Sequence, residues 1–210
     1  MRDSEHIEHY LQSCQTGFWK AVFQAEIEYL LKHLAGCKDV LSVGCGPAIV
    51  ESVLSERGFR MTGLDISQEA LDRAPDKIRT VAASAEDMPF PESSFDAAIY
   101  VASLQFIEDY RKAIAKTAYV LRPNGKLIVM LLNPESGFFK GRFRDPNSYV
   151  RKTRHTGLKE IENVIAEDFS IQTEYFLGIE EDTVFESRDA AHAALYIIRG
   201  TRKPLRKGKG

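Results

Sequence analysis

The stretch Val40-Leu41-Ser42-Val43-Gly44-Cys45-Gly46-Pro47 decides the fold, because an apolar strand runs directly into a Gly-x-Gly turn. Glycine removes the side-chain barrier at such a turn, and the first amides of the helix that follows have no partner inside that helix. A ligand can therefore approach the backbone closely at this point. A Gly-x-Gly turn alone is equally typical of a plain connection between a strand and a helix.

Asp65 strengthens the case for a ligand, because it ends the next apolar run, Met61-Thr62-Gly63-Leu64, nineteen residues after Gly46. Adjacent parallel strands end at the same edge of a sheet. A carboxylate there faces the first loop and can accept hydrogen bonds from both hydroxyls of an adenosine ribose. The alternative role of Asp65, capping the next helix, is already met by Ser67.

A third motif, Ala85-Glu86-Asp87-Met88-Pro89-Phe90-Pro91, places an acid before a hydrophobic residue. Asp87 can accept a hydrogen bond from an exocyclic amine, while Met88 offers a backbone amide to a ring nitrogen and a polarisable side chain to the ring face. An ordinary acidic loop is the alternative interpretation.

Around these motifs, short apolar runs alternate with helical stretches, which is typical of parallel strands joined by helical crossovers. Strands are predicted at 38–43, 59–64, 78–83, 95–102 and 125–132, and helices at 48–57, 68–73 and 108–121. A helix at 158–167 and two β-rich runs, 169–178 and 193–199, follow and could close the sheet as a hairpin.

Two further segments flank or interrupt this pattern. Residues 1–36 form a predicted helical cap with an apolar stripe at helical spacing, and Phe18 and Trp19 are candidates for covering a pocket. Residues 133–156 hold two prolines and no sustained apolar period, so we predict a long loop or lid.

The composition of the lid suggests a substrate class. Residues 135–155 contain six Lys or Arg, two acids and several aromatic residues. Such a mixture suits an anionic acceptor that is partly aromatic or apolar. A solvated basic loop with a few aromatic residues packed on the core is the alternative.

Taken together, the motifs between Val40 and Leu132 resemble those of the class I S-adenosylmethionine-dependent methyltransferases of the UbiE-like type. The resemblance includes Ser94-Phe95-Asp96-Ala97-Ala98-Ile99 and Leu121-Arg122-Pro123-Asn124-Gly125-Lys126-Leu127 as well as the three motifs above. It implies an α/β fold with a Rossmann-like seven-stranded, mostly parallel sheet, its last strand antiparallel, helices on both faces and an N-terminal helical cap. Residues 1–198 would form a single domain and 199–210 a disordered basic tail.

The resemblance also implies the site. S-adenosylmethionine would be the cofactor, and the residues that bind it would be Gly44, Cys45, Gly46, Asp65, Ile66, Asp87, Met88 and Ser103. The predicted substrate residues, taken mainly from the lid, are Gln105, Phe138, Phe139, Arg142, Arg144, Tyr149 and His155. No general base is assigned and no metal site is predicted.

Two positions depart from the family pattern. Ser42 stands where the family usually has an acid, which puts the contact to the methionine amine in doubt. Ala48 stands where the family has a third glycine. Because S-adenosylmethionine has no phosphates, we expect this change to be tolerated.

Composition limits the remaining alternatives. A chain of 210 residues that is 44% hydrophobic and 28% charged fits one globular domain, and it lacks both an apolar stretch of the ~20 residues that span a membrane and a signal segment. Three cysteines without metal-ligand spacing favour a reducing, cytoplasmic location. The net charge is −2, but residues 199–210 hold six basic residues and no acid, so the body is acidic.

We therefore predict a methyltransferase for a small molecule, without a membrane partner and of unassigned oligomeric state. An RNA or protein methyltransferase is the first alternative, favoured by the basic tail and lid and disfavoured by the acidic body. A non-catalytic subunit that binds the cofactor is the second. A nicotinamide dehydrogenase is disfavoured, because the chain lacks the Gly-x-Gly-x-x-Gly pattern.

Overall fold

A computed structural model describes residue 8 and residues 11–204. Its centre is one eight-stranded sheet with the spatial order β3-β2-β1-β4-β5-β8-β6-β7. The strands are β1 Asp39–Val43, β2 Arg60–Asp65, β3 Arg79–Ala82, β4 Phe95–Val101, β5 Leu121–Leu132, β6 Phe169–Glu180, β7 Thr183–Phe185 and β8 Ala193–Arg202.

Helices lie around the sheet, and from residue 17 to residue 204 they are α1 Gly17–His33, α2 Ile49–Glu56, α3 Gln68–Leu71, α4 Tyr110–Val120, α5 Gly137–Arg144 and α6 Leu158–Asp168. Side-chain caps fix several of their starts. The Trp19 amide donates to Thr16 Oγ1 at the start of α1, and the Lys112 amide donates to Asp109 Oδ1 at the start of α4.

The strand directions confirm the predicted fold class. Strands β1 to β5 run parallel, while β8 lies antiparallel between β5 and β6. The count is eight rather than seven, because the short strand β7 pairs antiparallel with the end of β6. Since β7 has only three residues, it carries no alternation that a sequence pattern could detect.

Two hydrophobic clusters fill the two faces of the sheet. Alternate residues of β1 divide between them, with Leu41 and Val43 in one cluster and Val40 in the other. Buried residues of α4 and α6 join the first cluster, and those of α1 and α2 join the second. Helices therefore cover both faces, and the cap helix α1 belongs to the second layer.

Three segments differ from their predictions. Residues 133–156 are not one long loop, because they contain α5 and a 3-10 turn at Tyr149–Lys152. Strand β5 begins at Leu121 rather than 125, with a bulge opposite β4. Residues 199–202 belong to β8 rather than to a tail, and the buried Arg202 donates to the Leu121 carbonyl oxygen. Residues 1–7, 9–10 and 205–210, which hold parts of the predicted cap and tail, lie outside the described residues.

No helix in the described part of the chain has both the length and the apolar character needed to cross a membrane.

Candidate functional site

A cavity of about 650 Å³ lies at the carboxyl edge of the parallel strands. Its volume falls in the range of ~300–1,000 Å³ that is usual for small-molecule sites. The loops that follow β1 to β4 form its floor, and α1 with the 3-10 turn after α5 forms its roof.

The glycine turn after β1 is held against the loop after β4. Gly44 has φ +73°, and a Cβ there would lie 2.6 Å from Ser103 Cβ. Ser103 Oγ donates to the Val43 carbonyl oxygen at 2.6 Å, which fixes that close approach. Gly46 also has a positive φ, of +53°, and the space where its Cβ would be is open. The turn therefore presents bare backbone to the cavity.

Asp65 is fixed at the end of β2 with both carboxylate oxygens on the cavity wall. Its Oδ2 accepts from the Gly46 amide at 2.8 Å and its Oδ1 from the Ser67 amide at 2.9 Å. Ser67 Oγ accepts from the Ala70 amide and caps α3, as predicted. Each oxygen of Asp65 keeps a free lone pair, so the carboxylate can accept two further donors from a ligand.

Ile66 and Cys45 complete this wall. Ile66 is 80% exposed although it is aliphatic, and it lines the cavity beside Asp65. An exposed apolar side chain next to a fixed carboxylate suits the face of a flat ring. Burial raises the pKa of the Cys45 thiol, so this cysteine is present as a neutral thiol.

The acidic loop after β3 does not place its residues as predicted. Asp87 lies off the cavity wall and pairs with Lys112 at 2.9 Å, which holds the pKa of Asp87 below its usual range. Met88 is buried in the core. Glu86 lines the cavity instead, because the 3-10 turn Ala85–Asp87 rotates it inward, and its Oε1 accepts from the Asp109 amide.

Of the predicted substrate residues, Phe138 and Tyr149 line the cavity. Gln105 does not, because its buried amide is fully used within the protein. It donates to the Leu132 and His155 carbonyl oxygens and accepts from the Leu132 amide. His155 also lies outside, with Nε2 2.9 Å from the Ile107 carbonyl oxygen and its ring 4.7 Å from that of Tyr110. Both residues anchor the lid.

The two predicted arginines and Phe139 lie outside the wall as well. The Arg142 guanidinium packs 5.6 Å from the ring centroids of both Trp19 and Phe138, behind the rings that line the cavity. Arg144 is exposed and ends α5, while Phe139 is buried in the core of that side. The basic character of the lid therefore belongs mostly to its outer surface.

Comparison with known proteins agrees with this geometry. The model of the methyltransferase domain family matches residues 41–129, which include the glycine turn and Asp65. The chain is thus similar to a methyltransferase domain over residues 41–129, which is less than half of its length. Its fold is that of the class I enzymes, whose cofactor is S-adenosylmethionine.

Relatives of this methyltransferase domain match only part of the chain. An uncharacterized protein of Methanocaldococcus jannaschii is 29% identical over 68% of this chain and 63% of its own length. A demethylmenaquinone methyltransferase of Tropheryma whipplei is 32% identical over 44% of this chain and 41% of its own length. The chain thus spans less than two thirds of the length of these curated relatives.

Two solved structures share the methyltransferase fold over most of the chain. A SAM-dependent methyltransferase of Thermotoga maritima, described as a possible histamine N-methyltransferase, has a TM-score of 0.80 at 19% identity and covers 95% of this chain and 97% of its own. A SAM-dependent methyltransferase of Archaeoglobus fulgidus has a TM-score of 0.72 at 16% identity, with coverages of 87% and 94%. At these identities the likeness shows the fold alone.

The backbone conformation of Ala48 shows why the methyltransferase pattern has a third glycine at this position. It is the N-terminal cap of α2, with φ +57° and ψ +43°, in the left-handed region that disfavours a Cβ. Ala48 is also fully buried, so its methyl group gains core contacts that offset part of this strain.

Sequence analysis missed Glu51, whose carboxylate lies next to Ser42, the position at which the family usually has an acid. It lies in the first turn of α2, is buried and lines the cavity. Ser42 Oγ donates to its Oε1 at 2.5 Å. Burial raises the pKa of Glu51 to about 7, and the Ser42 hydrogen bond opposes that rise. An acid in an otherwise apolar first turn, Ile49-Val50-Glu51, was the available signal.

Glu26 on α1 is the second missed carboxylate. It is only 5% exposed, lines the cavity, and its Oε2 has no hydrogen-bond partner among the described residues. Burial, reinforced by the negative charge of Glu51, raises the pKa of Glu26 to about 8. Its place at a spacing of four between Val22 and Leu30, on the buried stripe of α1, was the available signal.

Proposed function

We propose that this protein binds S-adenosylmethionine and transfers the methyl group to a small-molecule acceptor held under α1 and the lid. The observation that carries the proposal is the juxtaposition of Asp65, fixed by the Gly46 amide, with the open backbone of the glycine turn on one cavity wall. An adenosine-containing ligand is bound well by a carboxylate that accepts from both ribose hydroxyls and lies next to backbone that no side chain covers.

The lining residues fit the parts of that cofactor. Asp65 would hold the ribose hydroxyls, and Ile66 would cover one face of the adenine. Glu51 would attract the ammonium of the methionine part, the role left open by Ser42, since it lies behind the glycine turn at hydrogen-bond distance from Ser42. The turn from Gly44 to Gly46 leaves room for the sulfonium end.

When bound, the cofactor supplies a methyl group that is already activated by the positive sulfur. The chain then needs to align a nucleophile at ~3–3.5 Å from that methyl and exclude water. Phe106, Phe138 and Tyr149 line the acceptor side of the cavity and supply apolar walls. Gln105 ties the lid to β5 and thereby holds those walls in place.

The lining bears on the class of acceptor. The basic lid predicted an anionic acceptor, but Arg142 and Arg144 lie off the wall. Five carboxylates and two cationic side chains line the cavity: Glu26, Glu51, Asp65, Glu86 and Glu108 against Lys152 and Arg154. Arg154 is 3.9 Å from Glu108, which leaves Lys152 as the lining cation that has no ion pair among the described residues. This balance disfavours an anionic acceptor.

Calorimetry of the purified chain with S-adenosylmethionine, S-adenosylhomocysteine and NAD tests the proposal. We expect both sulfur nucleotides to bind and NAD to bind far more weakly, because the turn lacks the third glycine of a pyrophosphate site. Asp65→Asn, which keeps the shape but removes the charge, should weaken both sulfur nucleotides. A folded sample that binds neither of them would overturn the proposal.

A further inference from the structure

Glu26 has a property that cofactor binding does not explain. Its Oε2 is buried and lacks a hydrogen-bond donor among the described residues, although the side chain lies on the cavity wall. A buried carboxylate oxygen without a donor is costly to the fold. Such a group persists where a ligand supplies the missing donor or proton.

The surroundings of Glu26 place it on the acceptor side of the cavity. It is close enough to Glu51 for the charge of Glu51 to raise its pKa, and the charge of Glu26 in turn adds to the burial that raises the pKa of Tyr149. Tyr149 is 37% exposed and lines the cavity. Glu26 therefore lies between the group proposed for the methionine end and the lid, where the transferred methyl would be.

The rings around Glu26 favour a cation. Trp19 lies on the same helix, two turns before Glu26, and lines the cavity with Phe106, Phe138 and Tyr149. The Arg142 guanidinium already lies 5.6 Å from the ring centroids of Trp19 and Phe138, so Phe106 and Tyr149 are the rings offered to a ligand cation. Aromatic faces together with a buried carboxylate attract an organic cation, whereas they repel a carboxylate or phosphate. Because Lys152 and Arg154 are outnumbered by acids, the lining as a whole has the same preference.

We propose that Glu26 binds the nitrogen of the acceptor and accepts its proton, so that the acceptor is a small alkylamine that carries an aromatic or heteroaromatic ring and the transfer is an N-methylation. This inference rests on the proposed function. An ammonium group pairs with the ionised carboxylate of Glu26 and gives one proton to it, which frees the nitrogen lone pair and leaves Glu26 in the protonated form that its burial favours. The nitrogen–carbon bond forms as the carbon–sulfur bond breaks, and that electron pair remains on sulfur. The product is a methylammonium, and Glu26 returns its proton to solvent.

The test is direct binding rather than turnover. The protein is first saturated with S-adenosylhomocysteine, then titrated by calorimetry with two amines, phenethylamine and tryptamine, and with their carboxylate counterparts, hydrocinnamate and indolepropionate. The amines should bind and the carboxylates should bind much more weakly. The titrations are run at pH 8.5, above the raised pKa of Glu26, where Glu26→Gln keeps the shape and removes the charge. The variant should weaken amine binding roughly 10- to 150-fold, the range of a charge-assisted hydrogen bond.

Glu28→Gln is the matched control, since Glu28 is on the same helix, is exposed and bonds Gln24. It should leave amine binding unchanged, and S-adenosylhomocysteine affinity should be nearly the same in all three proteins. Tighter binding of the carboxylates, equal amine binding by wild type and Glu26→Gln, or no amine binding at all would overturn the inference. Failure of the first saturation step would instead refute the proposed function, so the two failures are distinguishable.

Discussion

The pH dependence of stability offers a quantitative test of how Glu26 is held. Burial raises its pKa from an ordinary 4.5 to about 8 in the folded protein. Below pH 4.5 the carboxyl is protonated both folded and unfolded, so it adds no pH dependence. Between these two pKa values the unfolded chain releases the proton and the folded chain keeps it, so stability falls as pH rises. Above pH 8 the folded protein also ionises Glu26, and the loss of stability caused by burying this charge reaches its full value.

The magnitude follows from the size of that pKa difference. At about 1.4 kcal/mol for each pKa unit, ionised Glu26 costs on the order of 3–5 kcal/mol. Glu26→Gln removes this cost, because glutamine is neutral at every pH. We expect the variant to match wild type near pH 4.5 and to exceed it by an amount that grows up to pH 8.

Urea unfolding at a series of pH values from 5 to 8.5, in the absence of cofactor, measures this difference. Glu28→Gln should run parallel to wild type, since Glu28 is exposed. Glu51, whose pKa is raised to about 7, adds a second slope that is common to wild type and Glu26→Gln and therefore cancels in the comparison. Parallel curves for wild type and Glu26→Gln would refute the reasoning, because they would mean that Glu26 titrates as it does in water.

Substitutions at Asp65, Gly44 and Ala48 test the glycine turn and its partners. Asp65→Ala should weaken S-adenosylhomocysteine binding roughly 10- to 150-fold in calorimetry and lower stability by about 1–3 kcal/mol, because two backbone amides lose their acceptor. Gly44→Ala should lower stability and abolish cofactor binding. Adding Ser103→Gly removes the 2.6 Å contact but leaves the φ of +73° at residue 44. The double variant should therefore regain only part of the lost stability in thermal unfolding. Ala48→Gly should change stability by less than about 1 kcal/mol, because relief of the left-handed strain offsets a lost methyl, whereas Ala48→Val should cost more than about 2 kcal/mol in urea unfolding.

The sheet edge and its ligand contacts were predictable from sequence because local rules determine them. An apolar run, two glycines and an acid at the end of the next run fix Gly44, Gly46 and Asp65 on one edge without any knowledge of tertiary packing. The loop after β3 was predictable only to within a residue. Which of Glu86 and Asp87 faces inward depends on the 3-10 turn, and no periodic pattern encodes that rotation.

The roof of the site was not predictable in the same way. Helix α5 reads Gly-Phe-Phe-Lys-Gly-Arg-Phe-Arg, and its two glycines and three phenylalanines have poor intrinsic helix propensity. Its stability comes from tertiary contacts, namely the buried Phe139 and the Ser136 cap that accepts from the Phe139 amide. Glu26 reaches the cavity only because α1 docks on α2, a long-range contact that sequence spacing does not specify.

Transfer of a labelled methyl group is the reaction that the proposed function requires. The purified chain is incubated with methyl-labelled S-adenosylmethionine and an extract of the source cell, and the small-molecule, RNA and protein fractions are then separated, with Asp65→Ala as the matched control. We expect label to enter a low-mass compound, with an equal amount of S-adenosylhomocysteine formed, and we expect Asp65→Ala to lose most of this transfer at limiting cofactor. Label that appears in RNA or protein instead, or tight cofactor binding with no label transferred to any low-mass compound, would contradict it.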